Sequence, residues 1–208
     1  MLNKYFEHVF CVNLERRPDR LEEAKNEFKA HNIKVEFVNG VDGKLLEIPH
    51  LISQDQQVVS RGDIGCTMSH LKVAQLAKER GYKNYFVFED DAVLSLAFSV
   101  LLENFMPNVP EDWDMIYLGG NHNGDLIPVN VCCSKMTRTF TTHAFAVREK
   151  AYDAVIDVLG KKNDKVDICI SSLHSKLNCY VIRPHIAFQR PSFSDILERD
   201  TDYVHLYN

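Results

Sequence analysis

Three consecutive acids, Glu89-Asp90-Asp91, close the apolar run Tyr85-Phe86-Val87-Phe88. The run has the length and composition of a strand buried inside an α/β sheet. In open α/β sheets ligands bind beyond the carboxyl ends of the strands. Side chains alternate along a strand, so Glu89 and Asp91 are expected to point one way and Asp90 the other. Three carboxylates this close repel, and a hard divalent cation relieves the repulsion. Oxygen ligands favour Mg2+ or Mn2+ over zinc. Such an ion suits a diphosphate, whose oxygens it bridges and whose developing charge it neutralises as a leaving group departs. An isolated acidic pair would read as a solvated turn; a triplet directly after an apolar strand reads as a metal site.

A metal-bound diphosphate also needs fixed positive partners. Asn13-Leu14-Glu15-Arg16-Arg17-Pro18-Asp19-Arg20 sets three arginines just past the apolar run at residues 8–14. Pro18 suits the first turn of a helix, and helix starts and arginines both favour phosphate oxygens. Taken alone, this run would be an ordinary charged helix start, with Glu15 and Asp19 as partners. Gly62-Asp63-Ile64-Gly65-Cys66-Thr67-Met68-Ser69-His70 opens a second helix with two glycines that permit close approach of backbone to a ligand. His70, and His143 in Thr141-Thr142-His143, each read either as a structural histidine or as a site residue. Asp167 follows a polar loop and reads as a helix N-cap or as a general base. Near the end, Gln189-Arg190-Pro191-Ser192-Phe193-Ser194-Asp195 is polar and loop-like, and its hydroxyls and Gln189 suit phosphate or sugar recognition.

The elements that must position these groups follow from hydrophobic period. Strands are expected at residues 8–14, 35–38, 85–88, 115–118, 140–147 and 179–182. Helices are expected from Pro18 to about Asn32, from Ile64 to Gly81, and over residues 94–105, 149–159 and 167–176. Residues 43–61 and the Asn- and Gly-rich residues 121–130 read as loops. Strands alternating with helices predict an α/β fold with a mainly parallel, mixed sheet flanked by helices. No repeat or low-complexity linker interrupts residues 1–208, which read as a single domain.

Composition narrows the partners. Of 208 residues, 45% are hydrophobic, enough for a packed core. Lys plus Arg number 24 against 29 Asp plus Glu, a net charge of −5, so no basic excess exists for a nucleic acid. No run of about 20 apolar residues is present to make a transmembrane segment. The six cysteines include an adjacent pair, Cys132-Cys133, poorly placed to bond to each other, and no C-x-x-C pair. The chain therefore reads as reduced and intracellular, cytoplasmic or peripheral to a membrane.

In their order along the chain these residues resemble glycosyltransferase family 25, which includes lipooligosaccharide and procollagen galactosyltransferases. The resemblance runs from residues 9–14 and Arg16-Arg17-Pro18-Asp19-Arg20 through Asn39-Gly40-Val41-Asp42-Gly43, Gly62-Asp63-Ile64-Gly65-Cys66 with Ser69-His70, and Phe88-Glu89-Asp90-Asp91. Trp113-Asp114, Leu118-Gly119, Thr142-His143-Ala144, Val166-Asp167 and Ser192-Phe193-Ser194-Asp195-Ile196 complete it. Asp63 stands where the family usually has Glu, a conservative change. The resemblance implies a GT-A-type, Rossmann-like fold, a UDP-sugar donor (commonly UDP-galactose), a hydroxyl acceptor on a glycan or protein, Mn2+ or Mg2+, and inversion at the anomeric carbon. By position it implies Asp91 and Glu89 for the metal and Asp90 for the ribose. Asn13, Leu14, Arg17, Arg20, Asp42 and His70 would border the nucleotide, Asp167 would be the base, and His143 would lie near the acceptor. A phosphohydrolase using the same acids and a non-catalytic nucleotide-sugar binder are the competing readings.

Overall fold

The computed structural model describes residues 2–49, 51–52, 58–196 and 198–202. Its centre is an eight-stranded sheet in the order β2-β1-β5-β12-β7-β13-β10-β9. The strands are β1 (His8–Asn13), β2 (Glu36–Asn39), β5 (Asn84–Glu89), β7 (Met115–Tyr117), β9 (Leu126–Asn130), β10 (Cys133–Met136), β12 (Ala144–Arg148) and β13 (Cys179–Ile182). Six of them run in one direction; β12 and β10 are reversed, each antiparallel to both of its neighbours. The sheet is thus mixed, as expected; of its seven pairings three are parallel and four antiparallel.

The run Tyr85 to Phe88 is apolar throughout because both faces of β5 are covered. Phe86 and Phe88 pack with Phe28 of α1 (Pro18–Ala30) and with Phe98 and Leu102 of α3 (Phe98–Phe105). Tyr85 and Val87 pack on the opposite face against α2 (Arg61–Glu79), α4 (Tyr152–Gly160) and α5 (Val166–Ser171). Pro18 occupies the first turn of α1, where its missing N–H costs nothing. Ser60 caps α2 in a reciprocal box: its side chain accepts from the Asp63 N–H, and Asp63 accepts from the Ser60 N–H. Gly81, at φ +69°, ends the chain's path beyond α2 in the left-handed region that glycine enters without strain.

Several expected boundaries shift. Leu94, the expected start of a helix, instead closes β6 (Ala92–Leu94), which pairs antiparallel with β14 (Ala187–Gln189), and α3 begins only at Phe98. A short apolar run fits either period, and here a partner some 90 residues away decides it. Residues 121–130 contain two strands, β8 (Asn121–His122) and β9, paired with β11 (Thr139–Phe140) and β10. The expected strand at 140–147 is divided between β11 and β12 by Thr141, whose φ of +68° breaks extended backbone. The expected loop at 43–61 contains a 3-10 turn (Gly43–Leu45) and a pairing of β3 (Leu51–Ile52) with β4 (Val58–Val59). The segment 189–195 folds back as β15 (Ser192–Ser194) on β16 (Arg199–Thr201). Helix 149–159 opens with a 3-10 turn, and α5 is shorter than expected. Among the described residues no helix is long and apolar enough to cross a membrane.

Candidate functional site

A cleft of about 700 Å³ opens at the carboxyl ends of β1 and β5. It is the size of a small-molecule site. The parallel register pairs Val12 with Glu89, so Asn13-Leu14 and the acid triplet emerge side by side. β12 runs the opposite way, and its entering residues Thr142 and His143 therefore arrive at the same end of the sheet. Eleven of the expected residues line this one cleft: Asn13, Leu14, Arg20, Asp42, His70, Glu89, Asp90, Asp91, Gln189, Ser192 and Ser194. Arg17, His143 and Asp167 are not among its lining residues.

The acids divide differently from strict strand alternation. β5 ends at Glu89, and a turn at Asp90-Asp91 carries both aspartates to one guanidinium. Arg20 Nε lies 2.9 Å from Asp90 Oδ1, and Arg20 Nη2 lies 2.8 Å from Asp91 Oδ2. Asn13 Nδ2 donates to Asp90 Oδ2 at 2.7 Å. Burial pushes the Asp90 carboxyl up to about 6, against the pull of Arg20 and with the help of Asp91's charge. Burial likewise raises Asp91, and Arg20 again opposes. Glu89 takes other partners: its Oε1 accepts from Thr142 Oγ1 at 2.7 Å and meets His70 Nε2 at 3.1 Å. Burial alone would raise Glu89, but its bonds to His70 and Thr142 and the nearby imidazoles hold it down at about 2.

The arginines past β1 converge on one carboxylate that sequence reasoning had left without a role. Asp195 Oδ1 takes Arg16 Nη1 at 2.6 Å, and Oδ2 takes Arg17 Nη1 at 2.5 Å, with Arg20 Nη1 at 3.8 Å. Arg16 also reaches Asp42 at 2.6 Å. The contacts span about 180 positions, so no local signal could reveal them. Lys44, Arg61, Cys66, Ser69, Glu198 and Thr201 also line the cleft and were not foreseen as site residues. Ser69 could have been suspected from its place in the Gly-rich helix start: it donates to the Gly65 carbonyl at 2.7 Å and accepts from the Val41 N–H at 2.8 Å. It thereby fixes the loop that carries Asp42.

His143 is fully buried, and its Nε2–H donates to the Ala187 carbonyl at 3.2 Å; burial lowers its pKa and favours the neutral ring. Asp167 is half-buried and accepts from the backbone amides of Ile168, at 2.8 Å, and of Thr141. Burial raises its carboxyl, and the negative charge of Glu89 adds to the rise.

The acids fit a hard cation in one specific respect. Asp91 Oδ1 is buried and has no hydrogen-bond partner among the described residues, so it has a free lone pair within the acid cluster. Asp91 Oδ2 and Asp90 already share Arg20, so the cation would meet acids that are partly neutralised. Glu89 belongs to a second donor group, with Cys66 and His70, whose ligand atoms all lie within 4.8 Å of one another.

Fold and cleft together define an α/β protein with a charged, small-molecule-sized cavity at the carboxyl ends of co-directional strands. A family-wide sequence profile, glycosyltransferase family 25 (LPS biosynthesis protein), matches residues 6–189, and the chain belongs to that family. It is 30% identical to human procollagen galactosyltransferase 2 over 129 residues, covering 55% of this chain and 21% of that protein. It is 32% identical to human inactive glycosyltransferase 25 family member 3, also over 129 residues, covering 55% of this chain and 22% of that one. The match thus spans about a fifth of the length of these relatives. A glycosyltransferase involved in glycosylation of the major capsid of PBCV-1 aligns with a TM-score of 0.45 and 9% identity, over 75% of this chain and 66% of that one.

Proposed function

We propose that this chain transfers a hexose, galactose in the first instance, from a UDP-sugar to a hydroxyl of a glycan or protein acceptor, with Mn2+ or Mg2+ and with inversion at the anomeric carbon. The observation that carries this reading is the meeting of the acid triplet with Arg16 and Arg20 in one cleft. Arg16, Arg17 and Arg20 already enclose a carboxylate, and phosphate oxygens make the same planar, bidentate demand on guanidinium. In the reading, the donor's diphosphate takes the place of Asp195 against them. Asn13, Leu14 and Asp42 border the nucleotide with His70, Asp90 takes the ribose, and Gln189, Ser192 and Ser194 contact phosphate or sugar. Glu89 and Asp91 would hold the cation, which when bound offsets charge on the departing diphosphate.

Inversion by direct displacement needs a base for the acceptor hydroxyl. Asp167 is the proposed base: burial moves its carboxyl toward the working pH, and two backbone amides orient it. His143, buried and neutral, steadies the entry of β12 beside Thr142 on the acceptor side. We place the chain in a reducing compartment, cytoplasmic or membrane-peripheral; the support is six free thiols, five of them buried.

A non-catalytic nucleotide-sugar binder is the second reading, favoured by the inactive human relative. Against it, Glu89, Asp90, Asp91 and Asp167 are all present. Incubation with UDP-galactose and Mn2+, with and without acceptor, separates the readings. A new glycoside formed only with acceptor is expected, with slow donor hydrolysis otherwise. Hydrolysis at one rate regardless of acceptor would make the chain a phosphohydrolase, and donor binding without turnover would make it a binder.

A further inference from the structure

The donor group at the floor of the cleft has a chemistry that the acid triplet alone does not. Cys66 and His70 stand four residues apart on α2 and so share one helix face. Glu89, the last residue of β5, faces them. A sulfur, a ring nitrogen and a carboxylate oxygen from these three lie within 4.8 Å of one another. All three residues line the cleft, so an ion can reach them from solvent. The frame is stiff: the His70 ring stacks on Phe145 with centroids 5.6 Å apart, and Thr142 holds Glu89. His70 Nδ1 is buried with no partner among the described residues, an unspent nitrogen on a buried ring.

Hard cations such as Mg2+ and Mn2+ favour oxygen and gain little from a thiol or an imidazole. A set of one sulfur, one nitrogen and one oxygen matches zinc, which takes such ligands tetrahedrally and leaves a fourth position for water or a ligand. We infer that Cys66, His70 and Glu89 form a zinc site in the cleft. On binding, a Zn–S bond forms, the Cys66 S–H bond breaks, and its proton passes to water. The consequence for catalysis rests on the function proposed above. Zinc claims Glu89, a ligand of the cation that assists transfer, so zinc slows transfer even with Mn2+ present.

Cobalt, zinc's spectroscopic stand-in, tests the site on the whole chain. Co2+ titrated into the wild type should raise a thiolate-to-cobalt charge-transfer band that Zn2+ then removes. Cys66→Ser should lack the band. A second measurement uses only the wild-type protein: Zn2+ should slow alkylation of Cys66 by iodoacetamide at least about tenfold, as located by peptide mapping. No band in the wild type, an undiminished band in Cys66→Ser, or alkylation of Cys66 unaffected by zinc would each overturn the site. Neither readout involves turnover, so failure of the zinc site and failure of the transferase reading are separate results: the latter would appear as no glycoside formed with Mn2+ and zinc absent.

Discussion

Asp90 and Asp91 share one guanidinium, and two buried carboxylates for one Arg20 leave the cluster short of positive charge. The effect on stability has a definite sign. Asp90 titrates at about 6 in the folded chain and at about 3.9 when unfolded, so between those values the folded state binds more protons and stability falls as pH rises. Asp90→Asn removes that penalty. In metal-free buffer its denaturation free energy relative to wild type should increase by up to about 3 kcal/mol between pH 4 and pH 6 and then level off; a difference that stays flat across that range would show that burial does not raise Asp90. Asp167 makes a separable prediction. Asp167→Asn keeps the side chain's volume but cannot take a proton, so turnover should drop by roughly 100-fold or more while the donor's Kd stays within about twofold. Unchanged turnover would remove Asp167 as the base.

At the scale of elements, the site depends on how closely α2 lies against the loop after β2. A Cβ built on Gly65 would stand 2.6 Å from the Val41 carbonyl oxygen and 2.8 Å from the Gly43 nitrogen, both backbone atoms that cannot swing aside. Gly65→Ala must therefore push apart α2 and the segment bearing Asp42. We expect a loss of about 1–3 kcal/mol in urea denaturation, together with weaker donor binding; wild-type values for both would show that the contact is slack. α1, α2 and β5 were legible because their signals are local: Pro18 at a helix start, apolar residues at three- and four-residue steps, and a run buried on both faces. β6 and β9 were not, because each exists only through a partner strand. Short segments without their own period are settled by pairing.

Across the whole molecule, the candidate site was legible to the extent that chemistry follows strand ends. Once β1 and β5 are adjacent and parallel, Asn13, Leu14 and the acid triplet must emerge together. The reversed direction of β12 brings Thr142 and His143 to that same end, a fact of topology that no single segment announces. Asp195 and Cys66, though both lie in the quoted motifs, had no role of their own in the sequence for a related reason. One acts through guanidiniums nearly 180 residues away, and the other through a glutamate on a different element. The proposed function requires that this cleft hold a sugar nucleotide through its diphosphate, with a cation between acids and phosphates. Thermal unfolding with UDP-galactose, with and without Mn2+, in wild type and Asp91→Asn probes this requirement. A donor at 100 times its Kd adds about 2.7 kcal/mol to stability, or roughly 5–10 °C for a chain of this size. That rise is expected for the wild type with Mn2+, and a much smaller one without the ion or in Asp91→Asn. No rise at millimolar donor, or the same rise in all three cases, would contradict it.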